Sequence, residues 1–255
     1  MTIALIDADI ILYKSAFQAE YTTCEFEDGT LVRGTRAASK VARETGMTYR
    51  CYKTLDTIDK SLGIANKIIS NILNKTEATD MRLYVSGREN HRYDLYPEYK
   101  QNREGQQKPS YLGVVRSYLE DRYPVIQCSG EADDAIGLDS LEGIICTIDK
   151  DLDQLPGIHY NWDKDYLYEV TEEEGNRTFY KSVLTGDTSD NIPGLYKTTG
   201  QKCVTKIKNG VYTYTSNKDL WAYVKGHYTG HEDTARLIAQ LLWIAHPEEI
   251  YWSEP

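Results

Sequence analysis

Three carboxylates lie within four residues in the segment SGEADDAIG, which spans residues 129–137. They are Glu131, Asp133 and Asp134, and small or apolar residues flank them. Apolar surroundings disfavour the charged form of a carboxylate, so something must neutralise the cluster. Acids in the first turn of a helix also complement its dipole, and Ser129 is a suitable N-cap. This segment alone therefore has a structural explanation as good as a chemical one.

Carboxylates recur in three other short segments. Those segments are LIDAD with Asp7 and Asp9, TIDKDLDQL with Asp149, Asp151 and Asp153, and GDTSDNIPG with Asp187 and Asp190. Taken singly, they are a weak motif, a solvated turn and an Asx-turn loop. At least eight acids in one cleft would repel each other strongly unless cations neutralised them. All-oxygen sites suit Mg²⁺ or Mn²⁺, and a pair of such ions is the usual machinery of in-line phosphoryl displacement.

The acids follow segments that the hydropathy pattern predicts to be strands. The buried strand candidates are TIALID, MRLYVS, PVIQCS and GIICTID, with GIHYNW as a weaker fifth. Continuous apolar strands favour a parallel sheet covered on both faces, and amphipathic helical segments such as SLGIANKIISNILNK and SYLGVVRSYLEDRY lie between them. This alternation predicts an α/β doubly wound fold, in which ligands bind at the carboxyl edge of the sheet. After about Asp165 the pattern changes, and DTARLIAQLLWIAH predicts an amphipathic helix near the C-terminus.

Composition excludes several classes of protein. The chain has 255 residues, enough for one large domain or two small ones. No apolar run approaches the roughly 18 residues that span a bilayer, and the N-terminal run carries two aspartates, unlike a signal peptide. We therefore expect no membrane association and a cytoplasmic location. The five cysteines are far apart without metal-ligand spacing, which fits a reduced cytosol without thiol chemistry.

The net charge of −10 argues against a nucleic-acid binder, which usually carries a basic footprint. The basic residues are nevertheless clustered: six basic residues and one acid lie between Leu31 and Lys53, and four lysines without an acid lie between Lys197 and Lys208. On charge alone, solvated basic faces are the better explanation, and a local grip on a polyanion is the alternative. The segment 21–55 matches no motif and could be a hairpin inserted after the first strand and helix, serving DNA, a partner or nothing.

The ordered set LIDAD, YPEYKQNR, GEADDAIG, TIDKDLDQL and GDTSDNIPG resembles the 5′-nuclease superfamily. That superfamily includes flap endonucleases, the 5′-nuclease domain of bacterial DNA polymerase I and bacteriophage 5′→3′ exonucleases, and the compact chain is most similar to the phage members. The resemblance runs from Ile3 to about Lys202. It implies a PIN-like, resolvase-like core with a mostly parallel sheet over residues 1–165, including a helical arch near 86–110. Residues 166–255 would form a helical, helix–three-turn–helix-like DNA-binding region.

The resemblance implies a metal-dependent 5′→3′ exonuclease or flap endonuclease acting in DNA replication. It would hydrolyse phosphodiester bonds at 5′ ends or flaps of duplex DNA, and an RNase H-type activity would remove RNA primers. Two Mg²⁺ ions are implied, with Mn²⁺ as a substitute. The implied state is a monomer in the cytoplasm, that of the host cell if the protein is viral, with replication proteins as partners. The balance of exonuclease and endonuclease activity and the preference for DNA or RNA stay open.

Individual residues carry the implied roles. The metal ligands would be Asp7, Glu131, Asp133, Asp134, Asp149, Asp151, Asp187 and Asp190. Lys100 and Arg103 match the basic pair expected beside the scissile phosphate, where cations stabilise charge developing on phosphoryl oxygens. The residues expected to contact DNA, chiefly at phosphates, are Arg92, Lys100, Arg103, Lys108, Lys197, Lys202 and Lys206. The sequence Gly200-Gln201-Lys202 is a remnant of the glycine-rich turn that often binds K⁺ in the family, and its degenerate pattern makes K⁺ doubtful here.

One family position differs. The family usually places an aspartate at the end of the second strand, where this chain has Ser86 and Gly87, with Glu89 as the nearest acid. Either Glu89 substitutes, or water fills the place, or the first metal is held more weakly. A non-catalytic relative that binds branched DNA is therefore an alternative. An aspartate-based phosphatase, suggested by LIDADI, is disfavoured because isoleucines follow the second aspartate instead of glycine and threonine.

Overall fold

The computed structural model describes residues 2–255. The strands are β1 (Ile3–Asp7), β2 (Glu20–Phe26), β3 (Leu31–Arg33), β4 (Tyr49–Leu55), β5 (Asp80–Val85), β6 (Val125–Gln127), β7 (Ile144–Cys146), β8 (Gly157–Asn161) and β9 (Tyr166–Val170). The helices are α1 (Ala8–Gln18), α2 (Thr35–Thr45), α3 (Ile58–Thr76), α4 (Arg92–Leu95), α5 (Leu112–Arg122), α6 (Ala132–Leu138), α7 (Glu172–Thr185), α8 (Leu195–Thr199), α9 (Val204–Asn209), α10 (Asn217–His227) and α11 (Glu232–Leu242). Within the described part of the chain, no helix is both long and apolar enough to span a membrane.

The chain divides into two compact units. The first, here the sheet unit, comprises the residues up to Asp9, Asn71–Gln106 and Pro124–Pro255; the second, the insert unit, comprises Ile10–Ser70 and Gln107–Tyr123. The functional division expected at residue 165 falls within the sheet unit and stays a prediction.

The sheet unit is built on a six-stranded sheet in the order β6-β5-β1-β7-β8-β9. All neighbouring strands run parallel except β8 and β9, which are antiparallel. The predicted α/β class with a mostly parallel sheet is thus confirmed, and all five strand candidates form strands. The edge strand β9 is an addition that the sequence did not predict. Four of its five residues are at least partly solvent-accessible, so it lacks the continuous apolar run of a buried strand.

The parallel strands bring the acidic segments to one edge of the sheet. Asp7 is the last residue of β1, and the segments containing Glu131 and Asp149 follow β6 and β7 within a few residues. Because β1, β6 and β7 all run in the same direction within the sheet, their carboxyl ends lie on the same side. The fold therefore concentrates carboxylates at this edge.

The C-terminal part of the sheet unit is helical. A capping box begins α7: the Thr171 hydroxyl accepts from the backbone N–H of Glu174 at 3.2 Å, and Glu174 accepts from the N–H of Thr171 at 2.9 Å. Helix α7 buries Phe179 and Val183 in a core that includes Trp221 of α10. The helical C-terminal region expected from the sequence is confirmed.

The insert unit contains a three-stranded antiparallel sheet, ordered β3-β2-β4, with α2 packed on it. The sequence predicted only a hairpin for this segment. The structure adds a third strand and a helix to it. Cys24 and Cys51 form a disulfide between directly paired positions of β2 and β4. The expectation of unpaired thiols is wrong for these two residues, since strand register, not sequence spacing, brings them together across 27 positions.

Candidate active site

A cleft of about 540 Å³ lies in the sheet unit. Its acidic lining residues are Glu131, Asp133, Asp149, Asp151, Asp153, Asp187 and Asp190. The structure thus brings together six of the eight predicted metal ligands. Asp7 is 3% exposed and lies close enough to Asp133 to raise the pKa of that carboxyl.

A chain of hydrogen bonds positions the aspartates that follow β1 and β7. The Thr147 hydroxyl donates to Asp7 Oδ2 at 3.0 Å and accepts from the backbone N–H of Asp149 at 3.0 Å. Asp149 Oδ1 in turn accepts from the N–H of Asp151 at 2.9 Å. These bonds hold three carboxylates close together at neighbouring strand ends, where their negative charges repel each other.

Burial and repulsion change the acidity of two of these groups. Burial raises the pKa of Asp133, and the charges of Asp7 and Asp149 raise it further. Burial also raises the pKa of Asp151 to about 6, assisted by Asp149 and Asp187. At neutral pH this part of the cleft therefore holds more negative charge than its surroundings stabilise. A set of carboxylate oxygens with excess negative charge has the chemistry of an Mg²⁺ or Mn²⁺ site.

Basic side chains neutralise two of the acidic residues that line the cleft, Glu131 and Asp190. Lys100 forms an ion pair with Glu131 and lies 3.4 Å from Asp190 Oδ2, while Arg103 forms an ion pair with Asp190. The Tyr99 hydroxyl lies 2.9 Å from Asp190 Oδ2 and 3.0 Å from Glu131 Oε2 and can donate to one of them at a time. The predicted catalytic pair, Lys100 and Arg103, is thus in direct contact with two of the predicted metal ligands.

The loop that carries Asp187 and Asp190 is docked against the segment that carries Lys100. Asn102 Nδ2 donates to the carbonyl oxygen of Thr188 at 2.7 Å, and the Lys100 N–H donates to that of Asp190 at 2.9 Å. Asp187 Oδ1 accepts from the Ser189 N–H at 2.8 Å, as predicted for an Asx turn. Lys100 itself has a left-handed backbone with φ of 55°, an uncommon conformation for a side-chain-bearing residue.

Within residues 2–255, no three His, Cys, Asp or Glu side chains are grouped so that they could hold a metal ion. Ion pairs explain why three of the predicted ligands do not join such a group. Glu131, Asp134 and Asp190 are turned toward arginine and lysine side chains. The residues fit a divalent cation in donor type and charge, and Glu131 and Asp190 would have to turn away from their basic partners to complete a ligand set.

Arg92 and Asp134 are placed differently from expectation. Arg92 is 3% exposed, and its guanidinium binds both oxygens of Asp134 and the carbonyl oxygens of Leu241 and Trp243. Direct DNA contact by Arg92 does not fit this placement, because its donors are already used inside the protein. Asp134 also accepts from the Ala245 N–H at 3.2 Å and does not line the cleft.

At the end of β5, the structure brings in a carboxylate that the predicted ligand set omits. Asp9 Oδ2 accepts from the backbone N–H of Ser86 at 3.1 Å, and the Ser86 hydroxyl accepts from the Ala132 N–H at 2.9 Å. Neither Glu89 nor Asp9 is among the lining residues of the cleft, and Asp9 differs from Glu89 by its hydrogen bond to the end of β5. A Cβ on Gly87 would come within 2.1 Å of the Cys128 carbonyl oxygen, so the close approach of the backbones requires glycine there. The i, i+2 spacing of Asp7 and Asp9 was the available signal.

The remaining basic residues are divided between the cleft and the surface. Lys197, Lys202 and Lys206 are exposed on or beside α8 and α9, and Lys108 is an exposed residue of the insert unit. The cleft is instead lined by three lysines that the sequence analysis did not assign to DNA contact: Lys150, Lys181 and Lys208.

The protein combines a mostly parallel α/β sheet, acids at the carboxyl edge of that sheet and a helical C-terminal region. No family model matches the chain. Three solved structures of bacteriophage T5 proteins have a similar fold. The T5 D15 protein co-crystallized with metal ions has a TM-score of 0.59 at 14% identity over 95% of this chain and 88% of that chain. A mutant T5 5′-exonuclease has a TM-score of 0.60 at 13% identity over 97% and 89%.

The third structure is a T5 D15 flap endonuclease variant in a pseudo-enzyme-product complex with DNA and metal ions. Its TM-score is 0.61 at 14% identity, over 97% of this chain and 90% of that chain. The fold that the motif order predicts is thereby confirmed.

Proposed function

We propose that this protein is a divalent-metal-dependent 5′-nuclease that hydrolyses phosphodiester bonds at 5′ ends or flaps of duplex DNA. The observation that carries the proposal is the cleft in which Asp133 is crowded by other carboxylates, with Lys100 and Arg103 paired to its lining residues Glu131 and Asp190. The fold shared with T5 proteins described as a 5′-exonuclease and a flap endonuclease supports the same reaction. Hydrolysis of RNA–DNA junctions by this cleft would remove RNA primers.

The proposed cofactors are two Mg²⁺ ions, with Mn²⁺ as a substitute. Their proposed ligands come from the predicted residues Asp7, Glu131, Asp133, Asp149, Asp151, Asp187 and Asp190, to which we add Asp9. Asp134 is left out of this set because Arg92 holds both of its oxygens. When bound, the ions would polarise the phosphoryl group and activate water for in-line attack. The T5 structures that contain metal ions support the requirement for a metal.

Lys100 and Arg103 bind and orient the substrate in this proposal. Lys100 and Arg103 now contact Glu131 and Asp190, and a phosphate is an equivalent anionic partner for both. Release of the two carboxylates toward the metals would leave the two cations free to bind the phosphoryl oxygens beside the scissile bond. Tyr99 would then hold whichever carboxylate remains within reach of its hydroxyl. The exposed lysines Lys197, Lys202 and Lys206 would bind phosphates of the duplex.

Arg92 is a positioning residue in this proposal. Its two hydrogen bonds to Asp134 orient the first turn of α6, which also carries Asp133. It acts through that helix and touches no substrate.

A non-catalytic protein that binds branched DNA is the second candidate. The observation that favours it is the pairing of Glu131, Asp134 and Asp190 with basic side chains, together with Ser86 at the end of β5. Such a protein would bind flaps with the same surface and cut none of them.

One gel distinguishes the two candidates. End-labelled flap, nicked and RNA-primed duplexes are incubated with Mg²⁺, with Mn²⁺ and with a chelator, and product lengths are read directly. If the protein is a nuclease, we expect cleavage that the chelator abolishes and that Asp151→Asn strongly reduces. Asp121→Asn is the matched control, because it removes the same charge from an exposed position of α5 in the insert unit. Full activity of Asp151→Asn would show that the assigned cleft is not the catalytic site.

A further inference from the structure

Helix α2 of the insert unit carries three cations along one exposed side. Arg36, Lys40 and Arg43 are all exposed, and their i, i+4 and i+7 spacing aligns them on one side of the helix. With a rise of about 1.5 Å per residue, the row is about 10 Å long. We call these three residues the basic row. None of them lines the acidic cleft.

The other side of α2 is committed to the interior of the insert unit. Ala38 is buried against Cys24 and Phe26 of β2, and Val41 and Ala42 are partly buried beside them. The disulfide between Cys24 and Cys51 ties the two longer strands together beneath this contact. The helix therefore presents the basic row outward on a fixed support.

The insert unit neutralises the basic row weakly. Lys40 lies 4.0 Å from Glu44, at the limit of an ion pair, and both side chains are highly exposed. Arg43 uses its Nε to donate to the Ser39 carbonyl oxygen at 3.2 Å, which leaves its positive charge uncompensated by that contact. Exposed pairs of this kind contribute little stability, so the row is not explained by what it does for the fold.

The spacing of the row matches a strand of duplex nucleic acid. Along one strand a phosphate recurs about every 3.4 Å of helix axis, so about 10 Å spans roughly three phosphates. A membrane surface is a poorer partner, because a helix that binds a bilayer buries its apolar side in lipid, whereas α2 buries that side against its own sheet. The chain has a net charge of −10 and repels a polyanion overall. The basic row attracts the polyanion locally.

We propose that Arg36, Lys40 and Arg43 form a phosphate-binding surface for duplex nucleic acid that adds affinity without reading sequence. This surface is additional to the proposed nuclease cleft. The proposal rests on the nuclease function only in taking DNA as the nucleic acid that is bound. It assigns a role to the inserted segment 21–55.

The test is the salt dependence of binding by the full chain. A fluorescent DNA duplex is titrated in the presence of chelator, so that cleavage plays no part. The triple variant Arg36→Gln/Lys40→Gln/Arg43→Gln is compared with Lys67→Gln/Lys164→Gln/Lys218→Gln, which removes the same charge from dispersed exposed lysines. Each phosphate contact contributes about 0.9 to the slope of log K against log salt concentration. We expect the row variant to lower that slope by about 2 to 3 and affinity by at least about tenfold at low salt, with a much smaller change in the control.

Equal weakening in both triple variants would overturn the proposal, because affinity would then follow net charge alone. So would an unchanged slope in the row variant. The charge-preserving variant Arg36→Lys/Arg43→Lys is expected to keep the wild-type slope, which separates charge from misfolding. Wild-type binding to phosphatidylglycerol vesicles that only the row variant loses, with DNA binding intact, would assign the surface to membranes instead. Failure of the nuclease proposal would appear separately, as absence of cleavage with Mg²⁺ by a protein that still binds DNA.

Discussion

Arg92 and Asp134 form a bidentate ion pair in the interior of the sheet unit, with Nη1–Oδ2 at 2.6 Å and Nη2–Oδ1 at 2.9 Å. The two residues are 42 positions apart, and Arg92 also binds the carbonyl oxygens of Leu241 and Trp243. One guanidinium thus links α4, the first turn of α6 and the end of α11. The pair keeps the segment of Asp133 in place while removing Asp134 from the cleft.

Breaking this pair should destabilise the fold strongly. Arg92→Met leaves the Asp134 carboxylate, whose side chain is 19% exposed, without its partner. The loss of one member of a buried pair costs about 3 to 5 kcal/mol, and the 3% exposure of Arg92 places this pair near that class. Urea denaturation measures the free energy of unfolding. The control is Arg116→Met, whose partner Glu120 is solvent-accessible, and it should cost less than about 1 kcal/mol. Similar losses in the two variants would contradict the structural role of Arg92.

Divalent cations should stabilise the protein without DNA. Asp133 is partly buried among carboxylates whose charges raise its pKa, so at neutral pH their repulsion opposes folding. Asp133→Asn should therefore raise the melting temperature in chelator and abolish most of the rise that Mg²⁺ produces in the wild type. Thermal denaturation with and without Mg²⁺ measures both effects. Asp121→Asn, the exposed control, should leave the Mg²⁺ response unchanged; a wild type that ignores Mg²⁺ would count against the metal site.

Lys100 and Arg103 should act on cleavage more than on binding. If both cations stabilise charge that develops on the phosphoryl oxygens, Lys100→Ala or Arg103→Ala should lower kcat by about 10²- to 10³-fold. Each contributes one of several phosphate contacts, so DNA affinity in chelator should change by less than about tenfold. Single-turnover cleavage and fluorescence anisotropy separate the two quantities. Lys67→Ala, on the exposed side of α3, is the control and should change neither.

Asp9 should contribute to metal affinity. Its carboxylate accepts from the Ser86 N–H at the end of β5, and Asp9→Asn keeps an acceptor there while removing the charge. Loss of a supporting group of this kind typically weakens metal binding about 10- to 100-fold. Isothermal titration of the DNA-free protein with Mn²⁺ measures the dissociation constant. An unchanged constant in Asp9→Asn would leave Asp9 with only its hydrogen bond to Ser86.

His159 should make the fold less stable in mild acid. It is fully buried in β8, and burial lowers its pKa below the ordinary value of 6.5 despite the acceptor Leu155 O and the nearby Asp153. Below that value the unfolded chain takes up a proton that the folded protein excludes, so this contribution to stability is lost as the pH falls. Between about pH 7 and about pH 5, the free energy of unfolding of the wild type should therefore fall more than that of His159→Gln. Urea denaturation at both pH values tests this, and parallel losses would contradict it.

Local features of the sequence were sufficient for the strand candidates and the acidic edge. TIALID and GIICTID are continuous apolar runs, which only a buried strand of a parallel sheet accommodates easily at that length. Because these strands are parallel, Asp7 and Asp149 must both lie at the carboxyl edge of the sheet. The Asx turn at Asp187 and the capping box at Thr171 are equally local, since each depends on residues at most three positions apart.

The ion pairs of the site depend on tertiary packing. The pairing of Arg92 with Asp134, the contacts of Lys100 and Arg103 with the cleft carboxylates, and the approach of Asp9 to Ser86 depend on packing between distant segments. Strand register alone joined Cys24 to Cys51. Residue type and strand candidates are local properties of the chain, so they were enough to predict carboxylate chemistry at the edge of the sheet. The partners of each carboxylate were not determined there, because an ion pair between distant residues exists only after the chain has folded.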